Sequence, residues 1–510
     1  MDATEFRKRG KEVVDAIADY YESMADMPPL STVEPGYLYK IMPLEAPEEP
    51  ESFDEIQRDI QSKIMPGVTH WQSGNFFAWY PSNSSFAGIL GEMYSAMFSV
   101  VGFSWLSSPA ATELETVVMD WLGKLVGLDR RFLSIREDGT EGDGGGVIQG
   151  TASEALVVAM LAARDMALVG RRRAQGAATE KEGEEEDDGA RSARLVAYFS
   201  DQTHSSGEKA ANILGCRPHA IRSDGSYRLT KGALLDAVRR DRAAGLVPFF
   251  VCGTFGTTNT AAIDDLAGIT EAARDERLWF HVDAAYAGAA LCCPEFRPLA
   301  RGIERADSFS FNPHKWMLTT FDCSALWVAD STHLVRALSV HREYLPRTKG
   351  TTSFAKDYRD WQIPLGRRFR ALKLWLVMRT YGAAGIRAHI RAHVAEARWL
   401  EEQLVADGRF EIVVPVVFGL VVFRIRPGCL FDGGGSSSSS SEEEEAAANR
   451  ANTELVQRAN TDGRVFLLGS RLRGVDVVRV AIGGAQTSHR NVALLLEVLT
   501  KAADDIVPGR

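Results

Sequence analysis

The sequence predicts an α/β protein with a mostly parallel sheet, followed by a smaller α+β region. Between about residues 86 and 370, short apolar segments alternate with helical stretches, which is typical of a parallel sheet covered by helices. Beyond Gly385, a charged helix predicted over 386–408 precedes two further apolar segments, which indicate the smaller region. The segments are LVAYFS (195–200), PFFVCGT (248–254), LWFHVDAA (278–285), ADSFSF (306–311), FEIVVPVVFGLVVFRI (410–425) and VDVVRVAIGG (475–484).

Length and composition are those of a globular protein. At roughly 150 residues per domain, a chain of 510 residues predicts about three units, and the hydrophobic (45%) and charged (25%) fractions exclude collagenous and wholly disordered classes. The longest apolar run, 412–423, is shorter than the ~20 residues of a membrane-spanning helix, so we expect buried strands there. The N-terminus has no apolar core of a secretory signal, so we expect a cytoplasmic protein without membrane association.

Charge and cysteine usage exclude two further classes of partner. The net charge of −10 resides in two acidic segments, 177–190 and 442–445, and the rest of the chain is neutral, so no nucleic-acid surface is expected. The six cysteines show no CxxC pair and no zinc-site spacing. We expect buried free thiols and no metal.

The same two segments divide the chain. Residues 171–192 and 432–448 combine Gly, Ser and like charges with almost no apolar side chains, so we expect disordered insertions there. Between and around them we predict an N-terminal helical segment (1–85), a large domain (86–370) and a small C-terminal domain (371–510). The first helix is predicted from about Thr4 to Met24, because apolar residues recur there at helical spacing.

Ionisable side chains follow three of the four central strands. His204 comes after the first strand, Asp283 ends the third and Lys315 follows the fourth. Ligands in such sheets bind beyond the carboxyl ends of the strands. An Asp and a Lys that meet there suit pyridoxal 5′-phosphate (PLP), whose aldehyde takes a lysine as a Schiff base and whose pyridine nitrogen needs a carboxylate to stay protonated.

A phosphate site for PLP is predicted over 144–154, with the sequence GGGVIQGTASE. The glycines permit close approach of the backbone, and Thr151 or Ser153 can cap the helix that follows. The free N–H groups at the start of that helix would bind the phosphate dianion.

Seven stretches of the chain resemble the signatures of the group II PLP-dependent decarboxylases, and specifically of the aromatic L-amino-acid decarboxylases. The resemblance runs over nearly the whole chain outside the two insertions and is closest to the plant and algal tryptophan decarboxylases. The stretches are HWQSGNFFAWYPS (70–82), GFSWLSSPAATELE (102–115), GGGVIQGTASEA (144–155), DQTHSS (201–206), HVDAAYAG (281–288), FNPHKW (311–316) and DWQIPLGRRFRALKLW (360–375).

This resemblance implies the PLP-dependent transferase-like fold of type I, with a mostly parallel seven-stranded sheet and a homodimer whose active sites are shared between both chains. Lys315 would be the Schiff-base lysine, Asp283 would pair with the pyridine nitrogen and His204 would stack on the ring. The remaining cofactor contacts that the resemblance implies are Thr151, Ala152, Ser153 and Asn312 at the phosphate, Ala285 on the other face of the ring, and Thr258 and His314 close to cofactor and substrate.

The resemblance also bears on the product. The family's proton donor is a loop tyrosine that corresponds to Tyr344, whereas relatives with phenylalanine there resemble aldehyde synthases. Tyr344 therefore favours an amine as product. Pro346 departs from the lysine common after this motif, which bears on loop kinetics more than on the type of reaction.

The substrate is expected to be an aromatic L-amino acid. Trp71, Trp79, Tyr80 and Pro81 would line the substrate ring, together with Val101 and Phe103 from the second subunit, and with His204 and Thr258. Phe76 and Phe77 are expected in the core. Trp79 departs from the more usual tyrosine. Gly366 leaves room for an indole where tyrosine decarboxylases of plant type carry serine, which favours L-tryptophan and tryptamine, with 5-hydroxytryptophan as a further substrate.

Alternatives remain at this point. A decarboxylase of tyrosine, DOPA or phenylalanine and an aromatic acetaldehyde synthase share these motifs. A protein of a different class, an inactive PLP-fold scaffold with acidic interaction segments, is disfavoured because Lys315, Asp283, His204 and Tyr344 are all present.

Overall fold

The computed structural model describes residues 1–176, 189, 192–340, 355–430 and 441–507. The chain divides into two compact units, one made of residues 1–82 and 393–510 and the other of residues 83–392. The predicted boundary near residue 85 lies close to the first division. The predicted boundary at 370/371 differs from the second, because residues 371–392 belong with the larger unit.

The larger unit contains a seven-stranded sheet in the order β1-β7-β6-β5-β4-β2-β3. Four neighbouring pairs are parallel, and only β7 runs antiparallel to its neighbours β1 and β6. The predicted mostly parallel α/β fold is therefore confirmed. The strands are β1 (Gly145–Gln149), β2 (Leu195–Ser200), β3 (Arg217–Ile221), β4 (Val247–Thr254), β5 (Trp279–Asp283), β6 (Ser308–Phe311) and β7 (Ser324–Val328).

Helices cover this sheet, and α6 is the longest of those that lie wholly in the larger unit. The side chains of residues 155–160 on α6 are all buried and share a core with strands from both halves of the sheet. This apolar run explains why the segment is a buried helix. The helices of the unit are α4 (Phe86–Phe98), α5 (Pro109–Val126), α6 (Ala152–Gly176), α7 (Ser206–Ile213), α8 (Lys231–Ala243), α9 (Leu266–Glu276), α10 (Pro313–Trp316) and α11 (Thr332–Leu338).

The smaller unit contains a four-stranded antiparallel sheet in the order β10-β11-β9-β8. The strands are β8 (Phe410–Ile412), β9 (Leu420–Ile425), β10 (Leu468–Leu472) and β11 (Val475–Ala481), and its helices are α1 (Ala3–Ser23), α2 (Tyr37–Ile41), α3 (Phe53–Asp59), α13 (Ser441–Asp462) and α14 (His489–Asp504). Helix α12 (Ala371–Asp407) begins in the larger unit and ends in this one, and its backbone is non-helical at Gly382. The predicted first helix is confirmed within one residue at each end.

Two predictions about local order need correction. Residues 171–176 are the last residues of α6 and not the start of an insertion. Residues 441–448 are the first two turns of α13, although they were assigned to a disordered segment. Glutamate is a good helix former and is favourable near a helix N-terminus, and Glu445 also forms an ion pair with Arg424 on β9.

Two smaller expectations can be compared with the structure. The apolar run 412–423 is only partly strand, because β8 ends at Ile412 and β9 begins at Leu420. All six cysteines are free thiols, and five of them are buried.

Within the described parts of the chain, no helix is both long and apolar enough to cross a membrane, and no cluster of His, Cys, Asp or Glu could hold a metal ion.

Candidate functional site

The carboxyl ends of three parallel strands bring polar residues into one row. Thr254 on β4 lies opposite Asp283 on β5, and Asp283 lies opposite Ser310 on β6. The sequence predicted that residues after these strands would meet at one edge of the sheet, and this register confirms it. The other residues of the candidate site lie near this row.

Asp283 is buried and its orientation is fixed by the turn that follows it. Its Oδ1 accepts a hydrogen bond from the Ala285 backbone N–H at 2.9 Å. The carbonyl of Ala285 in turn accepts from the Asn312 N–H at 3.0 Å. Ala285 and Asn312 therefore lie next to Asp283, as the resemblance implies.

Lys315 follows on the short helix α10. Burial lowers the pKa of its ammonium group, and the nearby Asp283 carboxylate opposes part of this effect. A lowered pKa increases the fraction of neutral amine, which is the nucleophilic form. His314 beside it is buried, and its Nδ1 accepts a hydrogen bond from the Cys323 N–H at 2.8 Å. Burial and the charges of Lys315 and Lys373 lower the pKa of His314 to about 3, so its ring is neutral.

The turn that carries Lys315 is held by two residues that precede α4. Asn83 donates its backbone N–H to the carbonyl of His314 at 2.6 Å, and its side-chain oxygen accepts from the Leu318 N–H at 3.0 Å. Ser85, the N-cap of α4, donates its hydroxyl to the Leu318 carbonyl at 2.6 Å. Neither residue was predicted from the sequence. The polar run SNSS before an apolar helix signals a cap, but not the contact with a turn more than 230 residues away.

His204 lies within electrostatic reach of both Lys315 and Asp283. Burial and the Lys315 charge lower the pKa of His204, whereas Asp283 raises it. The Ser206 backbone N–H donates to Nδ1 at 3.1 Å, so Nδ1 is the acceptor and the neutral ring carries its proton on Nε2. The structure therefore brings the three ionisable residues predicted from the strand ends into one site.

Part of the segment 144–154, for which a phosphate site is predicted, forms the start of helix α6. Thr151 precedes α6, and its hydroxyl accepts from the Glu154 N–H at 3.3 Å, which makes it a helix cap. The glycines at 144–146 allow close packing against neighbouring side chains and backbone, and the prediction that they belong to the phosphate site is wrong. They lie at the opposite end of β1, where a Cβ on Gly146 would stand 2.6 Å from Met119 Cε and 2.7 Å from Trp327 Nε1.

The residues present fit PLP. Two buried polar atoms near Asp283, Asn312 Oδ1 and Thr254 Oγ1, have no hydrogen-bond partner among the described residues. Such atoms normally have partners, and a polar cofactor would supply them. The first N–H groups of α6, next to Thr151, are also free of intrahelical acceptors and suit a phosphate. The lysine and the carboxylate match the aldehyde and the pyridine nitrogen.

Thr258 is half-buried in the loop that follows β4. Gly256 in this loop has a φ of +87°, and a Cβ there would lie 2.5 Å from Ala287 Cβ, so only glycine fits. The Thr257 hydroxyl closes the loop by accepting from the Ala262 N–H at 3.1 Å. The loop is therefore tightly built around the position of Thr258.

The predicted aromatic residues form a cluster in the smaller unit. Trp71 and Trp79 stack with ring centroids 5.2 Å apart, and both are exposed. Phe76 and Phe77 are in the core, as predicted. Tyr80 is buried, with the Arg479 guanidinium 5.6 Å from its ring centroid. Pro81 is buried as well.

Val101, Phe103 and Gly366 lie together in the larger unit. A Cβ built on Gly366 would stand 3.6 Å from Val101 Cγ1, at ordinary contact distance. The Phe103 carbonyl accepts from the Arg359 N–H at 2.9 Å. Tyr344, the predicted proton donor, falls outside the described residues.

Comparisons with known proteins show the family to which the chain belongs. The family model described as "Pyridoxal-dependent decarboxylase conserved domain" matches residues 35–426. Phenylacetaldehyde synthase of Arabidopsis thaliana is 46% identical over 99% of this chain and 96% of its own length. Tyrosine decarboxylase 2 of Narcissus pseudonarcissus is 44% identical over 100% of this chain and 96% of its own length. Aromatic-L-amino-acid decarboxylase of Rattus norvegicus is 45% identical over 99% of this chain and 99% of its own length.

Among solved structures, tryptophan decarboxylase (TDC) of Oryza sativa, solved with PLP and tryptamine, superimposes with a TM-score of 0.90 at 39% identity, covering 99% of both chains. The family model covers well over half of the chain, and the relatives cover almost all of it at more than 30% identity. The chain belongs to the pyridoxal-dependent decarboxylase family, and it is a PLP-dependent carboxy-lyase.

Proposed function

We propose that this protein decarboxylates an aromatic L-amino acid to its amine and CO2, with L-tryptophan as the preferred substrate and tryptamine as the product. 5-Hydroxytryptophan is the further substrate that an indole pocket would accept. The observation that carries the preference is the open space at Gly366 beside Val101. The rice relative whose structure holds tryptamine supports the same assignment.

In this proposal the cofactor is held by the residues at the strand ends. Lys315 would hold it covalently, Asp283 would pair with its pyridine nitrogen, and His204 and Ala285 would contact its ring. Thr151, Ala152, Ser153 and Asn312 would hold its phosphate, and Thr258 and His314 would lie close to cofactor and substrate. When bound, PLP supplies an electron sink for the carbanion that remains after CO2 has left.

The protein's own groups then orient the substrate and move protons. The pocket would have to hold the substrate in one orientation, with its carboxylate placed so that the bond to the α-carbon can break. The lowered pKa of Lys315 keeps its amine available to accept and return a proton. A water-poor site would disfavour the charged carboxylate of the substrate and favour its departure as CO2. We assign the final proton transfer to the α-carbon to Tyr344.

The preference for an indole is tested by the substitution Gly366→Ser. The hydroxymethyl group would project towards Val101 and narrow the space at the ring, so we expect the tryptophan-to-tyrosine ratio of kcat/KM to fall by about 10- to 200-fold, the range for a change of about one methylene in a pocket. Gly232→Ser is a matched control, because a Cβ there meets nothing within 4 Å. An unchanged ratio in Gly366→Ser would remove Gly366 from substrate selection.

A second candidate function is aromatic acetaldehyde synthesis. It is favoured by the 46% identity to the Arabidopsis phenylacetaldehyde synthase, whereas Tyr344 favours the amine. Decarboxylation of tyrosine is supported in the same way by the Narcissus relative. Aldehyde formation in air releases ammonia and peroxide, so peroxide measured beside the amine separates the two reactions.

We also propose that the protein is a homodimer. Helix α4 exposes six large apolar side chains at helical spacing: Phe86, Leu90, Met93, Tyr94, Met97 and Phe98. An apolar face of this size marks an interaction surface. Val101 and Phe103 follow directly after α4, so a partner on this face would receive them near its own active site. Because Gly366 lies beside Val101, Gly366 would also lie near the active site of the partner subunit.

A further inference from the structure

Among the described residues, strand β1 lies at the edge of the seven-stranded sheet and pairs only with β7. The backbone groups on its outer edge therefore have no neighbouring strand, and buried backbone groups need partners. Side chains take this role. The Tyr358 hydroxyl donates to the Gly146 carbonyl at 3.3 Å, and the Glu154 carboxylate accepts from the Gly150 N–H at 2.9 Å.

Between these two contacts, one ion pair binds both backbone groups of Ile148. Glu115 Oε1 accepts from the Ile148 N–H at 2.8 Å, and Arg367 Nη2 donates to the Ile148 carbonyl at 3.3 Å. Arg367 Nη2 also donates to Glu115 Oε1. The two side chains are only 3% and 1% exposed. The pair thus offers β1 an acceptor and a donor, as a neighbouring strand would.

Arg367 is itself held from several sides. Its Nη1 donates to Gln362 Oε1 at 2.9 Å, and its guanidinium lies 4.7 Å from the centroid of the Tyr358 ring. Its carbonyl accepts from the Gly102 N–H at 3.0 Å. The arginine is therefore fixed between β1 and the segment that contains Val101 and Phe103. Lysine would not reproduce this arrangement, because it lacks the planar fork of donors.

Ile148 lies only three residues before Thr151, the cap of α6. We infer that Glu115 and Arg367 are a positioning pair: by taking the place of a neighbouring strand on β1, they fix the backbone that leads into the phosphate site of PLP. This inference rests on the proposed placement of the phosphate at the amino end of α6. Neither residue needs to touch the cofactor.

The test measures PLP binding without any substrate. Glu115→Gln and Arg367→Lys are prepared as apoproteins and titrated with PLP, with the dissociation constant read from cofactor absorbance and the Tm of each apoprotein recorded. We expect PLP to bind about 10- to 100-fold more weakly, by analogy with the loss of the residues that orient the ligands of a bound metal. Because no turnover is measured, failure of the proposed substrate preference would leave this result unaffected.

A purely structural role is separated from positioning by the double variant Glu115→Leu/Arg367→Met. An apolar pair avoids an uncompensated buried charge and is often as stable as the ion pair it replaces. It offers no acceptor to the Ile148 N–H, however, and it removes the Arg367 donor from the Ile148 carbonyl, which Arg370 Nη1 also contacts at 3.3 Å. We expect its apoprotein Tm to recover towards wild type while PLP binding stays weak. Recovery of PLP binding together with the Tm would overturn the inference.

Arg297→Met is the matched control. Arg297 also bonds two backbone carbonyls of the larger unit, those of Leu291 and Leu125, but none on β1. We expect this variant to lower the Tm and leave the PLP dissociation constant within about twofold of wild type. Equal weakening of PLP binding in Arg297→Met and Arg367→Lys would also contradict a specific role of the pair.

Discussion

Single residues set the chemistry of this site through burial and neighbouring charge. Lys315 is half-buried near Asp283. Its pKa is lowered by desolvation and raised by the carboxylate, and the first effect is the larger. Burial and the Lys315 charge likewise lower the pKa of His204, and Asp283 opposes part of this effect. An amine that is readily neutral and a carboxylate that stays close to it are what a covalently held, protonated pyridine cofactor requires.

The position of Lys315 depends on Asn83, which binds both ends of the turn. Asn83→Ala leaves the buried Leu318 N–H without its acceptor, which we expect to lower the free energy of unfolding by about 1–3 kcal/mol. Displacement of the Lys315 turn should also lower kcat by about 10- to 100-fold. Thermal unfolding and steady-state kinetics measure the two effects.

Asn452→Ala is the control for this prediction. Asn452 is a buried asparagine of the smaller unit whose Oδ1 likewise accepts a backbone N–H, from Ile425 at 2.8 Å. We expect Asn452→Ala to lower the free energy of unfolding by a similar amount and to leave kcat unchanged. Equal kcat in the Asn83 variant and wild type would show that the turn keeps its position without Asn83.

At the scale of elements, the strands of the large sheet were predictable and some helix boundaries were not. Runs of four to eight apolar residues bounded by polar turns identify β2, β4, β5 and β6, and the parallel register then brings Asp283 and Lys315 together. The start of α13 was not predictable, because a serine and glutamate run has the composition of a disordered segment and its pairing with Arg424 is a tertiary contact. The contacts of Asn83 with His314 and Leu318 were not predictable either, because they too are tertiary contacts between distant parts of the chain.

Helix α4 carries the element-scale prediction. If its apolar face binds a second copy, Leu90→Glu combined with Met97→Glu should convert the dimer into a monomer, since both side chains are exposed, Met97 by 63%. Sedimentation equilibrium of the wild type and the variant measures the mass. Leu299→Glu, an exposed apolar residue outside α4, should leave the mass unchanged. A monomeric wild type would contradict the proposed dimer.

At the scale of the whole molecule, buried titratable groups make stability depend on pH. Burial lowers the pKa of His393 to about 4, so the unfolded chain binds this proton at a higher pH than the folded protein. The contribution of His393 to the free energy of unfolding is complete above pH 6.5 and is lost as the pH falls towards 4. Asp264 acts in the opposite direction, because burial raises its pKa to about 7 and its stability contribution is lost as the pH rises.

His393→Gln isolates one of these contributions. The lowering of the His393 pKa from 6.5 to about 4 corresponds to about 3 kcal/mol. We expect the loss of unfolding free energy between pH 6.5 and 4 to be smaller in the variant by about this amount, as measured by denaturant unfolding at each pH. The same pH dependence in variant and wild type would contradict the assignment.

The central claim is that this chain forms an amine from an indole amino acid. The most direct measurement is a competition assay in air with the PLP-loaded protein and equimolar L-tryptophan, L-tyrosine, L-phenylalanine, L-DOPA and L-histidine, with products followed by mass spectrometry and peroxide recorded in parallel. We predict tryptamine as the main product without peroxide. Tyramine, dopamine or phenethylamine as the main product would contradict the role of Gly366, and aldehyde with stoichiometric peroxide would contradict amine formation itself.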